Sequence, residues 1–186
     1  MRKQILFIQG AGEGAYTEDL KLADNLQQVL GNAYEVRYPK MQNEIDVPYT
    51  LWVQQIKKEL ATLSGTIILA GHSVGGSVLI KFLAEENIQA AIAGVFLIAA
   101  PYWGSPGWTY EGYETLMLPD EAHTKFPDDV PLFLYQSRDD ETVPVDHLAL
   151  YARRFPQASV TELSGRGHQL NNDLSEVAND IRTLGH

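Results

Sequence analysis

Along the chain, compact apolar runs take turns with stretches whose apolar residues recur every three or four positions. The runs lie at 4–9, 34–38, 66–70, 95–99, 132–136 and 159–163. Several lack polar alternation, as strands covered on both faces should. Between them come helical stripes. Leu22, Leu26 and Val29 share one face and stop near Gly31, and Val53, Ile56, Leu60 and Leu63 form a second stripe. A third helical run covers 77–86. Leu148, Ala152 and Phe155 follow Pro144, which suits a first-turn position. Leu174, Val177, Ile181 and Leu184 form the last stripe, with Gly185 at its expected stop. This alternation predicts an α/β fold, a mostly parallel sheet with helices on both faces. Ligands bind such sheets at the carboxyl ends of the strands, so function is sought just after each strand.

One stretch breaks the rhythm. Residues 101–126 hold six aromatics (Tyr102, Trp103, Trp108, Tyr110, Tyr113 and Phe126) with Pro106, Pro119 and three glycines, and show no clean period. A long loop inside a compact domain is usually a lid or a binding loop. Tyr102, Trp103 and Trp108 are therefore candidate substrate-binding residues. The competing reading is a flap that only shields the sheet.

Length and charge narrow the field. A chain of 186 residues is room for one domain, large enough to need no disulfide or metal staple. Fourteen Lys+Arg against twenty-four Asp+Glu leave a formal charge of −10. That field repels phosphate backbones and anionic lipid, so neither nucleic acid nor a membrane surface is expected as a partner. With no cysteine, disulfides, Cys-ligated zinc and thiol catalysis are excluded. The apolar run that begins at Ile5 ends at Gln9-Gly10, too short for a signal peptide. The stretch 90–101 also falls well short of the roughly twenty residues of a membrane span. The expectation is a cytoplasmic protein.

Chemistry enters after the third strand. Gly71-His72-Ser73-Val74-Gly75-Gly76 is G-x-S-x-G between a strand and a helix, the context the nucleophile elbow requires. So sharp a turn strains the serine backbone, and side chains two residues to either side would clash. It projects the Ser73 hydroxyl above the sheet at the positive end of a helix. A serine hydroxyl is a weak nucleophile until a base takes its proton and a third group orients that base. Of five histidines, His168 alone lies in the loop between the last strand and the final helix. His72 lies inside the elbow, His123 precedes the penultimate strand, His147 falls in a helical pattern, and His186 is terminal. The acid is expected after the fifth strand, where Asp139, Asp140 and Glu141 stand together. Such clusters are usually solvated turns; position on the sheet is what gives this one weight.

An oxyanion hole needs backbone donors. One is the N–H of Val74, the residue after the nucleophile. The second is expected from the loop after the first strand, residues 9–14, with Ala11 favoured and Gly12 next. The same loop satisfies a relaxed dinucleotide fingerprint, Gly10-x-Gly12-x-x-Ala15. Against that reading, the second strand ends Tyr38-Pro39-Lys40 with no acid for the ribose, and Glu13 would crowd a pyrophosphate.

Together, the glycine loop, the elbow, Asp140-x-x-Val143-Pro144 and Gly167-His168 resemble the α/β-hydrolase superfamily. The chain is most similar to its smallest members, single-domain serine hydrolases that include the retinoblastoma-binding serine hydrolase and bacterial predicted esterases. The resemblance implies a minimal three-layer fold with six parallel strands, and a catalytic set of Ser73, Asp140 and His168, leaving Asp139 as a solvated turn residue. It implies no cofactor and no metal. Gln9-Gly10 stands where many members have His-Gly. Without cysteine the L-x-C-x-E retinoblastoma-binding motif cannot exist, so that partner is not inherited. The expected activity is hydrolysis of a small carboxylic ester, amide or thioester through an acyl-serine. The alternative from another class is a binding protein that keeps the fold and uses only its surface.

Overall fold

The computed structural model describes residues 2–184. Six parallel strands form one sheet: β1 (Lys3–Ile8), β2 (Tyr34–Arg37), β3 (Ile67–His72), β4 (Ile92–Ile98), β5 (Leu132–Ser137) and β6 (Ser159–Leu163), in the order β2-β1-β3-β4-β5-β6. Six helices connect and cover them: α1 (Ala15–Leu30), α2 (Tyr49–Leu60), α3 (Val74–Glu85), the single turn α4 (Ala122–Lys125), α5 (Asp146–Arg154) and α6 (Ser175–Thr183). The central strands divide their side chains between two cores with the period of two that a strand imposes. Leu6, Ile8, Leu69, Val95, Leu97 and Leu134 pack with α2, α3 and α5. Ile5, Phe7, Ile68, Phe96, Ile98 and Tyr135 pack with α1 and α6. Both faces are dry, which is why the central runs read as continuously apolar.

Boundaries shift where pairing or packing overrules local pattern. β3 continues through Gly71 and His72 because both pair with Leu97 and Ile98 of β4. α2 ends at Leu60, leaving Leu63 beyond it as a partly buried residue on the core. Pro144 stands just ahead of α5 instead of within its first turn, its carbonyl accepting from the His147 N–H at 3.0 Å. The expected stop at Gly185 and the terminal His186 lie outside the described residues.

Residues 101–126 are less irregular than their composition implies. They contain a 3-10 turn at Glu114–Leu116 and then α4, and they bury Trp103, Leu116, Ala122 and Phe126. Side chains from the helices pin the backbone. The Pro101 carbonyl accepts from Ser77 Oγ at 2.7 Å and Tyr151 OH at 2.9 Å. Lys81 Nζ donates to the Met117 carbonyl at 2.9 Å, and Arg154 donates to that of Pro119 at 2.6 Å. Among the described residues, no helix is long and apolar enough to cross a membrane.

Candidate active site

The strand order reverses between β1 and β3. From β1 the chain steps outward to β2, and from β3 it proceeds to the other edge. The crevice beyond the carboxyl ends of these two strands is where open α/β sheets bind ligands. It is bounded by the glycine loop after β1 and by Ser73 after β3.

Ser73 has φ 51° and ψ −127°, a conformation that non-glycine residues seldom adopt. The glycines around it are sterically required. A Cβ on Gly71 would lie 2.7 Å from the Gly75 carbonyl carbon and the Gly76 nitrogen, and one on Gly75 would lie 2.3 Å from the Gln9 carbonyl oxygen. Strand, turn and helix are thus packed backbone against backbone, which keeps the serine strained. Ser73 stands at the N-terminus of α3, and the N–H of Val74 has no acceptor among the described residues.

His168 meets Asp140 as the position of their loops requires. Asp140 Oδ2 and Oδ1 lie 2.8 and 3.0 Å from His168 Nδ1. The carboxylate is fully buried and also accepts from the N–H groups of Thr142 and Val143, both at 2.8 Å, and from Gln136 Nε2 at 2.5 Å. Burial alone would raise its pKa, but His168 and these N–H donors outweigh burial and hold it below the ordinary 3.8. A neutral imidazole whose Nδ1–H faces an ionised acid has an unprotonated Nε2 that can accept a proton. Ser73 Oγ makes no hydrogen bond to His168 or to any other described residue. Such contacts are often long in a free enzyme and tighten around substrate.

Of the two donors expected from the glycine loop, Ala11 and Gly12, one is free. The Gly10 N–H is taken by Asp19 Oδ2 at 2.7 Å, and the Gly12 N–H by the Glu44 carbonyl at 2.7 Å. Gly12 therefore drops out as an oxyanion donor, while the N–H of Ala11 has no acceptor among the described residues. Gln9 replaces the usual histidine with a clamp. Its Oε1 accepts from the Met41 N–H at 2.9 Å and its Nε2 donates to Glu44 at 2.8 Å.

A family model described as Serine hydrolase matches residues 23–175. The chain belongs to the serine hydrolase family. The ydeN gene product of B. subtilis is similar in fold, at 20% identity and a TM-score of 0.75, covering 98% of this chain and 98% of that one. The esterase RhEst1 from Rhodococcus sp. ECU1013 is 16% identical with a TM-score of 0.74, covering 99% and 92%. Est1E from Butyrivibrio proteoclasticus is 14% identical with a TM-score of 0.71, covering 97% and 86%. These structures share the α/β-hydrolase fold. No curated protein sequence matches the chain.

In this serine hydrolase the acidic cluster is more than a solvated turn with one useful member. Asp139, exposed though it is, has Oδ1 accepting from Ser137 Oγ at 2.5 Å and from the N–H groups of Gly165 at 2.7 Å and Arg166 at 3.2 Å. Its Oδ2 accepts from Gly167 N–H at 3.3 Å. The Ser137 hydroxyl and these amides bring its pKa down to about 2. Glu141 Oε2 accepts from the His168 N–H at 3.2 Å. All three carboxylates face the loop that carries His168. Nothing local in the sequence shows that loop 165–168 lies against Asp139.

Sequence reading also passed over a second His–Asp contact. Asp19 and His72 are each 1% exposed, and His72 Nδ1 lies 3.0 Å from Asp19 Oδ2. The centroid of the His72 ring lies 4.8 Å from that of His168. The dinucleotide reading loses its phosphate site. At the N-terminus of α1, the Tyr16 N–H already donates to the Glu44 carboxylate at 2.9 Å, so an anion of the protein's own holds that position.

The aromatic segment forms walls on this side of the sheet. Trp103 stacks on Tyr113 with centroids 4.7 Å apart, and Trp108 meets His147 edge-on at 4.7 Å. Tyr102 donates its N–H to His147 Nδ1 at 2.7 Å and sets its ring edge-on to Tyr151. A cavity of about 400 Å³ opens between Ser105–Trp108 and the start of α5, bordered by Pro144 and His147. Among the described residues, no cluster of three His, Asp or Glu side chains is placed to hold a metal ion.

Proposed function

We propose that this serine hydrolase cleaves a carboxylic ester of a small substrate through an acyl-Ser73 intermediate. The observation that carries the reading is the buried Asp140 carboxylate set across His168 Nδ1, beyond the strained Ser73. His168 Nε2 takes the Ser73 proton as Oγ attacks the ester carbonyl. Asp140 holds the ring in that tautomer and stabilises the imidazolium that forms. The tetrahedral oxyanion lies between the N–H groups of Val74 and Ala11. Such a donor is typically worth about 3–4 kcal/mol in the transition state. His168 then protonates the departing alkoxide, and water attacks the acyl-enzyme by the same steps in reverse order.

Residues 101–126 serve this chemistry as a pocket wall, with Trp103, Trp108 and Tyr102 bounding the substrate. Their backbone ties to Ser77, Lys81, Tyr151 and Arg154 support a fixed wall over a swinging lid. The test is labelling with a fluorophosphonate, mapping of the modified residue, and kinetics on aryl esters, aminoacyl arylamides and thioesters. Ser73 should be the labelled residue, and esters should be the best substrates. Ser73→Ala should abolish labelling and lower kcat by about a million-fold, as losing the nucleophile does in another serine hydrolase. A single labelled site that survives in Ser73→Ala would place the nucleophile elsewhere.

A further inference from the structure

Four hydrogen bonds converge on the buried Asp19 and His72. Asp19 Oδ2 accepts from the Gly10 N–H at 2.7 Å and faces His72 Nδ1 at 3.0 Å, while Oδ1 accepts from Gln169 Nε2 at 3.0 Å. His72 Nε2 lies 3.0 Å from the His168 carbonyl oxygen. A carbonyl oxygen can only accept, so Nε2 carries a proton. Two further N–H donors on Asp19 favour its ionised form, so Nδ1 carries a proton as well. The ring is then an imidazolium, and the pair is an ion pair closed off from water. Burial opposes the charge on His72, but Asp19 and the bond to the His168 carbonyl outweigh it and raise its pKa above the ordinary 6.5.

We propose that the Asp19–His72 ion pair positions the catalytic site, Asp19 holding the glycine loop by its Gly10 N–H and His72 holding the loop of the base by the His168 carbonyl. The inference rests on Ser73 and His168 acting as nucleophile and base. It assigns to Asp19 and His72 no contact with substrate. The elbow strand, the loop bearing the Ala11 donor and the loop bearing His168 belong to three different parts of the chain. Coulomb attraction between two oppositely charged side chains ties them at one point, where a low local dielectric strengthens it. Loss of the His72 proton would leave an acceptor facing an acceptor at one end of the ring. The titratable groups facing His72 are Asp19 on α1, His168 on the loop before α6 and Asp140 on the loop after β5. The proposal therefore expects an alkaline limb in kcat that belongs to His72.

Nitrogen NMR on the wild-type protein with labelled histidine reads the charge directly, and kinetics on an activated aryl ester read the positioning. The expected result is a doubly protonated His72 at neutral pH. Asp19→Asn should lower kcat by about 10- to 100-fold, as a displacement on the order of 1 Å does, with KM nearly unchanged. His72→Gln keeps an N–H for the His168 carbonyl, so it should recover part of the kcat lost in His72→Ala and lack the alkaline limb. A neutral His72 in the wild-type protein overturns the proposal, and so does a folded Asp19→Asn with wild-type kcat. Should Asp19→Asn not fold, the NMR result and the Gln-against-Ala comparison at position 72 decide. If the fluorophosphonate leaves Ser73 of the wild type unlabelled, the hydrolase reading fails, while the NMR still reports whether the pair is charged.

Discussion

Gly75 passes so close to Gln9 that a Cβ on the glycine would stand 2.3 Å from the Gln9 carbonyl oxygen, and 2.5 Å from that of Ile8. The first turn of α3 is thereby seated directly on the carboxyl end of β1, bringing the glycine loop beside Ser73. Both clashing atoms are backbone, so neither can swing aside. Gly75→Ala should destabilise the protein by about 3 kcal/mol, the upper part of the range for overpacking. Urea denaturation would measure this, and a loss under half that size would mean the elbow can shift to admit a methyl group.

The neighbouring aspartates should separate by kcat. Asp140→Asn removes the charge that fixes and stabilises the His168 ring, and should cost on the order of 10⁴-fold in kcat with little change in KM. Asp139→Asn leaves the ring partner in place but weakens the hold on Gly165, Arg166 and Gly167. That loss should be about tenfold, because His168 is misplaced and not removed. A larger loss for Asp139→Asn than for Asp140→Asn would reverse the assignment.

The aromatic wall should govern selectivity. Trp108 borders the cavity beside Pro144 and His147. Trp108→Ala should change relative kcat/KM between short and long esters by about 1–3 kcal/mol, the usual worth of fitted apolar contacts. Equal losses on every ester would make the segment a cover for the sheet only.

Stability should follow pH through the same buried pair. The His72 pKa is raised on folding, so its contribution is complete below the ordinary value of 6.5 and fades as pH rises through the folded value. The Asp19 pKa is lowered on folding, since His72 and the Gly10 N–H outweigh burial. Its contribution is complete above the ordinary 3.8 and fades as pH falls through the folded value. The melting temperature should therefore be highest between these two limits. The alkaline decline should be shallower in His72→Gln, which has nothing to titrate there. Calorimetry across the pH range would show it, and equal alkaline slopes for the two proteins would contradict it.

Much of this enzyme is local information. The elbow could be found from sequence because Gly71 answers a clash with Gly75 and Gly76, only a few positions on. The strands could be found because burial on both faces leaves a continuous apolar run, as at 66–70 and 95–99. His168 stood out because only one histidine lies between the last strand and the final helix, and chain order along a parallel sheet translates into position. Other decisions needed the folded chain. Asp139 and Asp140 are alike by type; the spacing to Val143-Pro144 singles out Asp140, and the packing of the 165–168 loop shows Asp139 holding its backbone. Sequence favours Ala11 over Gly12, but only the folded chain shows the Glu44 carbonyl claiming the Gly12 N–H. Asp19 looks like one more polar residue on an amphipathic helix, and its partner lies 53 positions away. Sequence patterns record what a residue owes to its near neighbours and to water. A hydrogen bond between distant segments leaves no such record, because its partners are chosen by the three-dimensional path that brings them together.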